Sequence, residues 1–385
     1  MSDNKKDKNI KAKESQSAMH VHKGIEQPPS INPKAAKSFL KKKQGLLTLD
    51  QYVDGILKGD RIVLSKAITL IESSLAQHYD LAQKIIEKCM PYSGNSIRIG
   101  VTGIPGAGKS TFIEALGKYL TAKDHKIAVL AVDPSSEISK GSILGDKTRM
   151  EGLSTDKNAF VRPSPTAGSL GGVARKTREI IILCEAAGFN RVFVETVGVG
   201  QSETTVHSMV DFFLLLMLTE TGDELQGIKR GVIEMSDGII INKADGDNIQ
   251  KAEKAKNQYQ KALKLFPKAD SSWTPKVLTC SALEKTGIDK IWDMILEHNK
   301  LMKETGHFRL KRNQQKIDRM YETINQTLSN HFYTNPKVEG KINEIERSLL
   351  NNRLSAFQAA QTLLNYYFED IGKNKANQKG LKDEN

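Results

Sequence analysis

Nine residues, Gly103-Ile104-Pro105-Gly106-Ala107-Gly108-Lys109-Ser110-Thr111, fit the phosphate-loop pattern G-x-x-x-x-G-K-[ST]. The pattern constrains the fold because it needs a strand before it and a helix after it. Residues 96–102 have the apolar content of a buried strand. Residues 110–120 place Phe112, Leu116 and Leu120 at helical spacing. The glycines let the backbone wrap close to a polyphosphate, with N–H groups and the helix N-terminus facing its charge. Lys109 is expected to reach the β/γ-phosphates, and the Ser110 hydroxyl a Mg²⁺ ion. A bare glycine-rich turn is the plain alternative, and the complete pattern in its complete setting argues against it.

Asn242-Lys243-Ala244-Asp245 follows the apolar run 238–241. If that run is a strand, the four residues lie at its carboxyl end, where open α/β sheets bind ligands. N-K-x-D is the guanine signature of GTPases. Asp245 can accept from guanine N1–H and the 2-amino group, whereas adenine offers neither donor and leaves the carboxylate unpaired. Residues 277–280 read as a further strand ending in Ser281-Ala282-Leu283, the form of the S-A-[KL] base loop. A helix cap after a strand is the plain alternative for the first motif.

Two acids complete the expected site. Strand 126–132 ends in Asp133, and strand 191–194 ends in Glu195-Thr196-Val197-Gly198. A carboxylate beside the phosphates holds Mg²⁺ directly or through water. In the [DE]-x-x-G form, the Gly198 amide meets the γ-phosphate and switches when it leaves. The plain readings are a turn before Pro134 and a solvated strand end.

The 385 residues allow one large α/β core plus helical additions. No run of about twenty apolar residues occurs, so no membrane insertion is expected. The first residues lack a signal peptide's apolar core and are unlike a mitochondrial presequence, so the expected compartment is the cytoplasm. Cys89, Cys184 and Cys280 are scattered and read as core thiols, not as a zinc site. The formal charge is +12, and residues 1–43 hold eleven lysines against four acids. Without interleaved aromatics or a known module, that tail reads as solvated, and no nucleic-acid partner is expected.

The expected order is a disordered basic tail (1–35), an N-terminal helical extension (36–92), the nucleotide domain (93–300), a C-terminal helical arm (301–372) and a disordered tail (373–385). Thr48 and Gln51 form a capping-box pattern, Gly55 weakens the helix they open, and Asp60 caps the next. Strand and helix alternate over 96–300, with residues 212–218 a further buried strand, which predicts a mostly parallel sheet covered on both faces. In the arm, Ile317, Met320, Tyr321, Ile324 and Leu328 have helical spacing, which predicts a dimerisation surface.

Several stretches together resemble the MeaB/ArgK family, the methylmalonyl-CoA mutase-associated GTPases. They are residues 59–73, the phosphate loop, Val132-Asp133-Pro134-Ser135-Ser136, residues 141–150, residues 194–203 (V-E-T-V-G-V-G-Q-S-E) and residues 222–229 (G-D-E-L-Q-G-I-K). The resemblance covers roughly residues 45–330. It implies an α/β P-loop NTPase fold of the signal-recognition and MinD-like (SIMIBI-type) branch, with the helical extension and the dimerisation arm. It implies GTP/GDP and Mg²⁺ as ligands, a homodimer, and adenosylcobalamin-dependent methylmalonyl-CoA mutase as the partner whose cofactor loading is gated. By matching position, residues 141–150 are the first switch and include Asp146 as a metal-side acid. Residues 195–203 are the second, and the loop ending at Lys229 is a third that reads the mutase.

The expected chemistry is attack of water on the γ-phosphorus, with Lys109, Mg²⁺ and loop amides offsetting charge. Glu195 is assigned to a metal-bound water. No residue is an obvious base for the attacking water; Gln201 is nearby in sequence, and Lys229 can supply positive charge if its loop folds inward, in a reaction slow alone and stimulated by the partner. Rival readings lack their signatures. A lysine/arginine/ornithine transport ATPase or kinase would want an L-S-G-G-Q signature, which the chain lacks. A metallochaperone GTPase would want a Cys/His cluster.

Overall fold

A single seven-stranded sheet organises the protein, in the order β3-β2-β4-β1-β5-β6-β7. The strands are β1 (Ile97–Gly103), β2 (Ile127–Val132), β3 (Ala159–Arg162), β4 (Arg191–Thr196), β5 (Phe212–Met217), β6 (Gly238–Ile241) and β7 (Lys276–Thr279). The computed structural model describes residues 46–73, 75–132, 150–162, 170–196, 202–219, 230–266 and 271–380. Thr48–Asn385 forms one unit. Every strand pairing in the sheet is parallel. The expectation of a mostly parallel α/β core is met. Parallel strands covered on both faces need apolar residues throughout, and β2 and β5 are buried at every position.

β1 lies between β4 and β5, and the chain turns to opposite sides of it before and after residue 196. Its carboxyl end is therefore the topological switch point, where such sheets bind ligands. Helix α4 (Lys109–Thr121) and helix α10 (Ile288–Glu304) cover one face, with Phe112, Leu116, Ile291 and Ile295 in the core beside Ile99, Val101 and Phe193. On the strands packed into that core, alternate residues point the other way. There, α6 (Leu170–Ala186) and α7 (Ser202–His207) pack against β4. Two short helices, α5 (Glu151–Thr155) and α8 (Arg230–Met235), precede β3 and β6, and α9 (Ile249–Leu263) precedes β7.

The N-terminal helices are α1 (Leu49–Leu57), α2 (Arg61–Glu72) and α3 (Ala76–Cys89). Their caps form as expected. Gln51 N–H donates to Thr48 Oγ1 at 3.3 Å, and Thr48 N–H donates to Gln51 Oε1 at 2.9 Å. Asp60 Oδ1 accepts from the amides of Ile62 and Val63. Gly55 has a packing reason that helix propensity did not reveal. A Cβ there would lie 2.7 Å from Val63 Cγ1, so the glycine lets α1 and α2 close on each other. Ile56, Leu64 and Ile68 are fully buried in this bundle, worth about 1.5–3 kcal/mol each. Helices α2 and α3 also pack on α6.

After α10 the chain forms α11 (His307–Tyr333), α12 (Pro336–Leu350) and α13 (Ala356–Gly380). The foot of α11 is held by polar contacts. Arg312 Nη2 donates to Asp211 Oδ2 at 2.7 Å, Lys311 Nζ to Asp211 O at 3.0 Å, and Gln315 Nε2 to Val210 O at 2.9 Å. Farther along, Ile317, Met320, Tyr321, Ile324 and Leu328 are 44–58% exposed, so the stripe read from the sequence is not buried among the described residues. Helix α13 continues to Gly380, past residue 372 where the arm was expected to stop. The basic tail, residues 1–35, lies outside the described residues. No helix among the described residues is long and apolar enough to cross a membrane.

Candidate guanine-nucleotide site

The phosphate loop leaves the sheet through Gly103. Its φ is 151°, and a Cβ there would stand 2.3 Å from the Leu216 carbonyl oxygen on β5, so only glycine fits. The loop then curls around Lys109, the first residue of α4. Lys109 Nζ donates to the carbonyls of Gly103 at 2.8 Å and Ile104 at 3.2 Å. The side chain is 9% exposed. Its charge is thus held inside the loop, where an incoming phosphate would meet it.

Register brings the metal-side residues to the same place. Val101 of β1 pairs with Glu195 of β4, which sets that carboxylate beside the loop. Ser110 Oγ donates to Glu195 Oε1 at 2.9 Å, and Glu195 is 6% exposed. Next to them the Thr196 hydroxyl donates to Thr102 Oγ1 at 2.9 Å, tying the ends of β4 and β1 together. β2 ends at Val132 in register with Thr196. Asp133, Asp146, Gly198, Gln201 and Lys229 lie outside the described residues.

The base end is built from the turns after β6 and β7. Asn242 Nδ2 donates to the Ala107 carbonyl at 2.8 Å, which ties this turn to the phosphate loop. Its Oδ1 accepts from Ala282 N–H at 3.1 Å and from Cys280 Sγ at 3.4 Å. The Ser281 hydroxyl donates to Asp245 Oδ2 and accepts from Glu284 N–H at 3.1 Å. Lys243 takes a φ of 59°, and Ala244 N–H donates to Cys280 O at 3.0 Å, which locks the two turns together. Leu283 is 79% exposed at the end of the loop. The motif residues read from the sequence, Asn242, Asp245, Ser281 and Ala282, are therefore gathered in one place.

Cys280 was read only as a core thiol. It is buried, as expected, yet it also supplies one of the contacts to Asn242. Burial and then the charge of Asp245 push its pKa up to about 12, so the S–H stays on to donate. The one signal for this role is its position immediately before S-A-L. Thr102 and Thr196 gave no sequence signal at all, since a threonine at a strand end is ordinary.

Residues 64–337 match the family described as "Methylmalonyl Co-A mutase-associated GTPase MeaB". The Escherichia coli protein named "GTPase ArgK" is 45% identical over 308 residues, covering 80% of this chain and 93% of that protein. The chain belongs to the MeaB family of GTPases. A second MeaB-type relative, the mouse "Methylmalonic aciduria type A homolog, mitochondrial", is 45% identical over 326 residues and covers 82% of this chain and 79% of its own length. Among solved structures, the "LAO/AO transport system kinase" superposes with a TM-score of 0.66 at 38% identity, covering 84% of this chain and 99% of that one. This MeaB-family chain is thus a P-loop GTPase that binds guanine nucleotide and hydrolyses GTP.

Proposed function

We propose that this GTPase is a chaperone of an adenosylcobalamin-dependent acyl-CoA mutase, methylmalonyl-CoA mutase first, and that it gates cofactor loading and protection of that enzyme. The observation that carries the proposal is a phosphate loop joined through Asn242 to the turns after β6 and β7, in a chain whose family is described by its association with that mutase. Homodimerisation through the exposed stripe of α11 and a cytoplasmic location belong to the same proposal.

Ser110 and Glu195 fit a Mg²⁺ ion. Both present oxygen, both lie at the loop, and their side chains are already within hydrogen-bond distance. Among the described residues no three His, Cys, Asp or Glu side chains gather. Mg²⁺ keeps several waters and takes its other oxygens from carboxylates and phosphates. When bound, Mg²⁺ neutralises charge developing between the β- and γ-phosphates. Lys109 leaves the carbonyls of residues 103 and 104 for phosphate oxygen and offsets the same charge. Glu195 orients a water on the metal side. We assign Asp133 and Asp146 as additional metal-side acids. Gly198 senses the γ-phosphate, and Gln201 and Lys229 flank the attacking water in the complex with the mutase. Turnover is then slow alone and faster with the partner.

Cofactor transfer tests the chaperone role. Apo-mutase is mixed with the chain and adenosylcobalamin in the presence of GTP, GDP or no nucleotide, and loading is followed by cobalamin absorbance. Loading that depends on the nucleotide and is lost in Lys109→Ala is the expected result. Loading indifferent to the chain and to nucleotide would refute the role.

A further inference from the structure

We propose that Arg178 is a positioning residue for GTP hydrolysis, which ties the arm helix α11 to the helix that follows the second-switch segment in sequence. Arg178 sits in α6 and is 6% exposed. One end of its guanidinium, Nη2, donates to Ser208 Oγ at 2.7 Å. The other, Nη1, is paired with Glu322 of α11. The Ser208 hydroxyl in turn donates to the Thr205 carbonyl at 2.7 Å. Its one proton and one lone pair are thus used in opposite directions, which fixes the polarity of the chain Glu322–Arg178–Ser208–Thr205.

What this chain holds is α7. Ser202 begins that helix seven residues after Glu195. The helix packs on β4, which carries Glu195, and on β1, which carries the phosphate loop. Val206, at its centre, is fully buried. Arg178 clamps its last turn. The next residues, Val210 and Asp211, are gripped by Gln315, Lys311 and Arg312 of the same α11. One arm helix therefore sets the far end of α7 from two sides, directly at residues 210–211 and through Arg178 at residue 208. A planar guanidinium serves partners on two helices at once, whereas a lysine ammonium on a flexible stem does not fix both directions. The base and phosphate grips at Asn242, Asp245 and Lys109 are on other elements. Loosening α7 should therefore change turnover without changing nucleotide affinity.

The test uses Glu322→Ala and Ser208→Ala, singly and together, with Arg178→Lys alongside. The Glu322 side chain is 43% exposed, so its replacement spares the core even if Arg178 variants fold poorly. Single-turnover GTP hydrolysis and affinity for a fluorescent GDP are measured on the full chain. Each single variant should slow hydrolysis by roughly fivefold, below the ~100-fold that a full 1 Å misplacement from a remote site can cost, with GDP affinity held within about twofold. The double variant should be no slower than the slower single, because both break one connection. Arg178→Lys should match the double. Losses that multiply, an unchanged rate in both singles, or GDP affinity falling in step with rate would each overturn the proposal.

Discussion

Asp245 and Asn242 share a turn but have different tasks. Asn242 uses both ends of its amide to join the phosphate loop to the base loop, through Ala107 on one side and Ala282 and Cys280 on the other. Asp245 is braced by the Ser281 hydroxyl, and its proposed task is to carry the charge that distinguishes guanine. Asp245→Asn replaces an acceptor with a mixed donor and acceptor. Its GTP affinity should fall by roughly 10- to 100-fold, as hydrogen bonds to a charged group contribute about 1.5–3 kcal/mol. A xanthine nucleotide, with a carbonyl where guanine has the 2-amino group, should gain affinity. Competition against fluorescent GDP reads both, and unchanged GTP affinity would place the base elsewhere. Asp245, Asn242, Lys109, Ser110 and Glu195 were legible because phosphate and guanine chemistry demand those side chains at those spacings. The contact from Cys280 was not, because an inert core thiol and one that donates S–H have the same apolar neighbours in sequence.

Among the elements, long buried strands announced themselves. The run Phe212–Met217 can be little else. Strand β3, Ala159–Arg162, was not anticipated. It has four residues, lies at the sheet edge and ends in arginine, so neither length nor alternation marks it. Tertiary polar joints were equally silent. Glu185 of α6 accepts from Arg98 Nε and Nη2, both at 2.8 Å, and from Ser96 Oγ and Gly94 N–H. Burial by itself would raise its pKa, but the Arg98 and Ser96 bonds and the charge of Arg312 prevail and hold it below the ordinary 4.5. A carboxylate with a lowered folded pKa contributes stability above its unfolded pKa of about 4.3. That contribution is lost as pH falls through the folded value. Glu185→Gln leaves Arg98 without its charge partner and should cost about 3–5 kcal/mol at pH 7. The deficit against the parent should shrink below pH 4. Urea unfolding midpoints at pH 7 and pH 3 check this, and a deficit that is constant or grows in acid would contradict it.

At the scale of the whole molecule, the phosphate loop lies at one end of the sheet, while α11 leaves the opposite end with an apolar stripe exposed among the described residues. That stripe was read correctly as helical, but sequence spacing does not tell a face covered by its own chain from one left open. The account expects a homodimer at micromolar concentration. Ile324→Glu should convert it to a monomer with GDP affinity unchanged, as read by light scattering after size-exclusion chromatography. A parent chain that is already monomeric, or a variant that stays dimeric, would contradict that use of the arm.

The most direct test of the central claim is phosphate release from GTP and from ATP by the purified chain, with and without an equimolar amount of methylmalonyl-CoA mutase from the same host. The account predicts slow turnover of GTP alone, little of ATP, and GTP turnover raised by at least about tenfold when the mutase is present. ATP hydrolysed as fast as GTP, or GTP hydrolysis indifferent to the mutase, would contradict it.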